Sequence, residues 1–144
     1  MINLRGKFNK AQETQAYILS GHGTITIRSK KTGARFTYKM GQSDNGQVTF
    51  IKLLNGKDNE EDFCYLGHIF TDSNNFCHGR KSRITEEASG AKAFNFTWNM
   101  LTSGQMLDGI EIWHEGRCGK CGRKLTVPES IERGIGPHCA KGKA

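Results

Sequence analysis

Two stretches of strict alternation stand out in the first third of the chain. Ile25 and Ile27 fall on one side of an extended segment, and Thr24, Thr26 and Arg28 on the other. After the turn KKTG at 30–33, Phe36, Tyr38 and Met40 alternate in the same way with Arg35, Thr37 and Lys39. A period of two predicts strands, and the intervening turn predicts that they pair as a hairpin with one apolar side. The opposite side then carries Arg28, Arg35 and Lys39, with Lys30 and Lys31 at the turn, which makes a basic, threonine-rich sheet surface.

A second hairpin follows, QVTFIKLL and FCYLGHIF, joined by the acidic loop NGKDNEED. Both strands are apolar on alternate and intervening positions alike, the pattern expected of inner strands covered on both faces. Upstream, Asn9 before KAQETQAYIL, closed by Ser20 and Gly21, predicts a short helix with an Asn N-cap. Downstream, Ser89 introduces a second helix in which Ala91, Phe94, Trp98 and Leu101 recur at helical spacing before Gly104 ends it. Phe94 and Trp98 are expected in the core. Residues 71–90 read mostly as loop, and GIEIWH at 109–114 as a further short strand leading into a cysteine cluster. The predicted architecture is α+β: a four-stranded antiparallel sheet with flanking helices over residues 1–108, and a small knuckle-like or ribbon-like zinc module over 109–144.

Charge sharpens the picture of the basic surface. The 144 residues carry a net charge of +7. Residues 1–40 alone contribute +7 and 111–144 contribute +3, while 41–70 subtract 3. Positive charge concentrated toward the two ends suits a polyanionic partner. The loop FCHGRKSRI adds His78, Arg80, Lys81 and Arg83 around Gly79 and Ser82, a plausible phosphate grip. No apolar run approaches a membrane span and no signal peptide is legible, so a cytoplasmic protein of a bacterial host cell is expected.

The cysteines carry the most specific chemistry. There are five, an odd number, and Cys118, Cys121 and Cys139 crowd the end of the chain around a C-x2-C pair. In a reducing compartment this reads as metal binding before disulfides, and thiolate-rich ligation favours zinc. A fourth ligand is needed. His114 lies four residues before Cys118, with Gly116 allowing the chain to turn back. His138 adjoins Cys139 too closely to be the better choice, and Cys64 or Cys77 could fill the position only from far away in the sequence. The expected site is therefore His114, Cys118, Cys121 and Cys139, a closed four-ligand shell holding one structural zinc. Pro128 at the start of PESIER predicts a short helix between the cysteine groups. Arg123 and Lys124 on the knuckle extend the basic track.

The stretch HEGRCGKCGRKLTVPESIERGIGPHCA resembles the cysteine-containing tail of a widespread family of uncharacterised phage and bacterial proteins, in which CGR, LT, P-x-S and GIGP precede a last cysteine. SKKTGARFTYKM, FCYLGHIF, HGRKSRI and AKAFNFTW resemble the body that often accompanies it. The resemblance implies a phage-like origin and a cytoplasmic metal-binding protein, and assigns no substrate.

Catalytic motifs are missing: there is no Walker A, GxGxxG, HExxH or nucleophile elbow. Cys64 and His68, read as i and i+4 on one face of a strand, would stand roughly 13 Å apart and could not act as a pair. The expected function is non-enzymatic binding of DNA or RNA through the basic surfaces. The competing expectation is a phage counter-defence protein, anti-CRISPR-like, that inhibits a host immune complex or sequesters a nucleotide signal.

Overall fold

The structure is a computed structural model, and it describes residues 6–54 and 63–115. Among these residues one antiparallel sheet of seven strands carries two helices, so the α+β class holds. The strands are β1 (Gly6–Lys7), β2 (Thr24–Ser29), β3 (Arg35–Gln42), β4 (Val48–Leu54), β5 (Phe63–Phe70), β6 (Asn75–His78) and β7 (Ile110–His114). The helices are α1 (Ala11–Ile18) and α2 (Ser89–Thr102). Spatial order is β1-β7-β2-β3-β4-β5-β6, a meander of five strands extended past β2 by the last strand and then the first.

Both expected hairpins form. Ile25 opposes Tyr38 and Ile27 opposes Phe36, so their apolar side chains share one face. The second hairpin pairs β4 with β5. The sheet exceeds the expected four strands because three short segments join it. β1 and β6, of two and four residues, are too short for periodicity to register. β7 does more than lead into the cysteines, since it is inserted between β1 and β2.

Both helices lie on the same side. α1 packs on α2, and Gln15 Nε2 donates to the Leu101 carbonyl at 2.6 Å. Neither helix has a side-chain cap: α1 starts after Lys10 rather than Asn9, and α2 after Ala88. Their stability therefore comes from the buried stripe, which in α2 includes Ala91, Phe94, Trp98 and Leu101, as its spacing predicted. Full burial of a side chain such as Phe94 contributes roughly 1.5–3 kcal/mol.

Gly90 lets α2 approach closely, because a Cβ there would collide with Leu53. Tyr38 then donates its hydroxyl to the Gly90 carbonyl at 2.7 Å, and burial pushes the phenol far above its ordinary pKa. The Trp98 indole N–H reaches the carbonyl of Asn74, at 2.8 Å, in the turn before β6. Among the described residues no helix is long and apolar enough to cross a membrane.

Candidate nucleic-acid interface

Both helices lie on one side, and among the described residues no helix or strand lies on the second face of the sheet, although Thr24 and Thr26 on it are buried. Cross-strand partners share a face, which assigns Lys7, Glu111, Trp113, Arg28, Arg35, Lys39, Phe50 and Lys52 to the side away from the helices. Phe63, Tyr65, His68, Phe70 and Cys77 continue it across β5 and β6. The second hairpin is thus covered on one face, where two had been expected. Phe50 and Phe70 are exposed at 37% and 41%.

A bulge in β5 sets the phase of this face. Ile51 opposes Gly67 while Lys52 opposes Tyr65, which leaves Leu66 as the extra residue. Cys64 consequently pairs with Leu53 on the helix side, and His68 pairs with Phe50 on the open side. The two do not share a face as simple alternation predicts. The same slip brings Tyr65 and His68, three residues apart, onto the same side.

Their rings are joined. The Tyr65 hydroxyl lies 2.8 Å from His68 Nδ1, the planes differ by 1°, and the centroids are 6.5 Å apart. That separation is nearly the full reach of a phenol arm, a hydrogen bond and half an imidazole laid end to end. The rings are therefore side by side in one plane rather than face to face. Burial, and secondarily the neighbouring Cys77, push the Tyr65 phenol above its ordinary pKa. Phe50 stands at 67° to Tyr65 and Phe70 at 84° to His68, so steep rings flank the flat pair.

The loop after β6 is clamped against this pair. Gly79 N–H donates to the Leu66 carbonyl at 3.0 Å, and a Cβ at Gly79 would collide with the Tyr65 ring. Ser82 donates its hydroxyl to the Tyr65 carbonyl at 2.7 Å and accepts from Ile84 N–H at 3.0 Å. His78 Nε2–H donates to the Ile84 carbonyl at 2.7 Å. His78 and Ser82 thereby brace the loop and leave Arg80 and Lys81 exposed. Tyr65, His68, Cys77, His78, Arg80 and Lys81 together line a cleft of about 430 Å3. Arg83 is exposed but does not line it.

The remaining basic residues divide by their neighbours. Arg28 Nη1 binds Glu111 at 2.9 Å, and Lys7 reaches the same carboxylate at 3.6 Å. Desolvation pulls the Glu111 pKa up, but the hydrogen bond from Arg28 and the charges of Lys7, Arg28 and Lys30 outweigh it and hold the carboxyl below its ordinary range. Arg35 is exposed opposite Arg28, and Lys30 and Lys31 are exposed in the turn. Lys39 and Lys52 are exposed directly opposite each other, and among the described residues no acid is within ion-pair distance of either. Lys39 Nζ lies 5.8 Å from the Phe63 ring centre. Sequence reasoning found Lys39 but missed Lys52 and the rings beside it. Their signal was the alternation Phe50, Lys52 and Phe63, Tyr65 within strands that looked apolar throughout.

Of the expected zinc ligands, His114 is described and Cys118, Cys121 and Cys139 lie outside the described residues, as do Arg123 and Lys124. His114 is fully buried at the end of β7, its ring 5.2 Å from Phe8 and 5.5 Å from Tyr17, with Gly6 closely packed on its Nε2 edge. A ring so firmly oriented suits a structural ligand, which gains from a fixed geometry. It suits a core histidine equally. Among the described residues no three His, Cys, Asp or Glu side chains converge as a metal site.

Residues 113–142 match a family of unknown function (DUF6011). The match begins inside β7, at the residue before His114. Comparisons with curated proteins and with solved structures returned no match.

Proposed function

We propose that this protein binds nucleic acid without catalysing a reaction, through the open face of its sheet. The observation that carries the reading is the pair Lys39 and Lys52, exposed and directly opposed on the open face of β3 and β4, with the exposed ring of Phe50 two residues from Lys52 and the exposed ring of Phe70 farther along the same face. Like charges facing each other across a strand pair are unfavourable, and exposed aromatic rings gain nothing from water. A polyanion that also offers flat apolar surfaces relieves both. Arg35, Arg80 and Lys81 extend the positive surface on either side, and Lys30, Lys31 and Arg83 lie farther along it. Arg28 is the exception among the expected contacts, because Glu111 already engages it.

The test is binding of labelled DNA and RNA at two salt concentrations, for the wild type and for Lys39→Glu with Lys52→Glu. Phosphate contacts release counterions, so affinity should fall steeply with salt. The double variant should bind at least about tenfold more weakly and show a shallower salt dependence. Absent or salt-insensitive binding overturns the proposal.

The C-terminal segment is inferred to hold one structural zinc through His114, Cys118, Cys121 and Cys139, with Arg123 and Lys124 adding to the basic track. What supports it is the donor set: three thiolates and an imidazole suit a closed tetrahedral site. Metal analysis should find one zinc per chain, and His114→Cys should retain it where His114→Leu loses it. A metal-free purified protein rules the assignment out.

A further inference from the structure

We infer that the ligand of the open face is single-stranded, with one unpaired base laid against the Tyr65–His68 plate and an adjacent phosphate held by Arg80 and Lys81. The inference rests on the nucleic-acid reading above and goes beyond it to the form of the ligand. Three independent features converge on it.

The first is the plate itself. A hydrogen bond that locks two rings into one plane makes a flat surface wider than either ring, and every base has a flat face that can stack on it. Second, the plate forms one side of a shallow, open cleft, and its volume of about 430 Å3 falls within the range of small-ligand sites, roughly 300–1,000 Å3. A base inside a duplex is stacked and paired, and cannot enter such a cleft. An unpaired base can. Third, a guanidinium and an ammonium group stand at the mouth of the cleft because the loop is pinned beneath Tyr65 by Gly79 and Ser82. A nucleotide joins a flat ring to an anion a few ångströms away, which is the arrangement these groups complement. Lys52 and Lys39 lie on the same face one and two strands farther on, where neighbouring phosphates of the strand would pass.

Fluorescence anisotropy with three labelled probes tests this: a single-stranded 12-mer, the duplex of the same sequence, and a 12-mer of identical phosphate count whose central positions are abasic. The natural single strand should bind about tenfold more tightly than the duplex, and the abasic strand should lose roughly tenfold. His68→Ala should reproduce that loss on the natural strand and leave the abasic strand unaffected, a pattern that general destabilisation would not produce. Equal binding of natural and abasic strands, still salt-dependent, overturns the inference and leaves the nucleic-acid reading intact. Absence of salt-dependent binding to any probe overturns both. Displacement by a nucleoside monophosphate at the same nucleotide concentration as an unlabelled strand also overturns it, because the cleft would then serve a free nucleotide.

Discussion

The sheet carries an aromatic cluster on each face, and the two have opposite fates. On the helix side Phe94 sits 5.1 Å from Tyr38, 4.9 Å from Phe76 and 6.4 Å from Trp98. On the open side Phe50, Tyr65, His68 and Phe70 are joined in a row at spacings of 6.4, 6.5 and 4.9 Å. The contact distances are alike, yet Phe94 and Trp98 are 1% exposed and Phe50 and Phe70 are not buried. Ring spacing therefore does not distinguish a core from a surface. What distinguishes them is α2, which contributes Phe94 and Trp98 to the first cluster and covers it. The first cluster stabilises the fold, and the second is left with uncovered apolar surface.

The most severe way to probe the contrast is to remove a ring from the covered side. Trp98→Ala should destabilise the protein by about 3–5 kcal/mol, since it opens a large cavity under α2. It also strands the Asn74 carbonyl that the indole N–H satisfies. Urea denaturation followed by circular dichroism measures it, and a loss below about 1 kcal/mol would mean that α2 is not held by this stripe.

The same truncation on the other face should do nearly the reverse. Phe50→Ala should change stability by less than about 1 kcal/mol, because the ring is already partly in water. Its affinity for a single strand should nevertheless fall severalfold, within the roughly 1–3 kcal/mol that one stacking contact is worth. Denaturation and anisotropy on the same preparation separate the two effects. A large stability loss with unchanged binding would mean that the open face serves the fold rather than a ligand.

The contrast also shows where the sequence was readable. Ile25, Ile27, Phe36, Tyr38 and Met40 reveal their face because the intervening positions are polar, even though Thr24 and Thr26 among those are themselves buried. In β4 and β5 both sides are apolar enough to be mistaken for a sandwiched pair, and periodicity cannot say whether a helix exists to cover the second side. The bulge at Leu66 compounds this. One extra residue moves His68 to the face opposite Cys64, a shift that a period of two hides. Arg80 and Lys81 were legible as a basic loop, but their partnership with Tyr65 depends on Gly79 fitting beneath its ring, which is a tertiary contact. The proposed zinc site rests on donor chemistry alone, and three of its four residues fall outside the described residues.

The mildest probe concerns how far along the open face a ligand extends, and it uses Glu111 as a reporter. Its carboxyl is held below the ordinary range by the Arg28 hydrogen bond and by the charges of Lys7, Arg28 and Lys30, which together outweigh desolvation. A depressed carboxylate contributes its stabilisation above the unfolded-state pKa, and that contribution fades as pH falls through the lower folded-state value. Arg28→Gln should therefore move the Glu111 titration, followed by carbon-detected NMR, upward. Binding of a strand confined to β3–β6 should leave it in place. Should the strand instead reach β2 and β7, its phosphates would compete for Arg28 and add negative charge beside Glu111, and both effects raise the pKa. An upward shift on adding the strand would return Arg28 to the contact surface, and a fixed value would confine the site to the half of the face where, among the described residues, the basic side chains have no acidic partner.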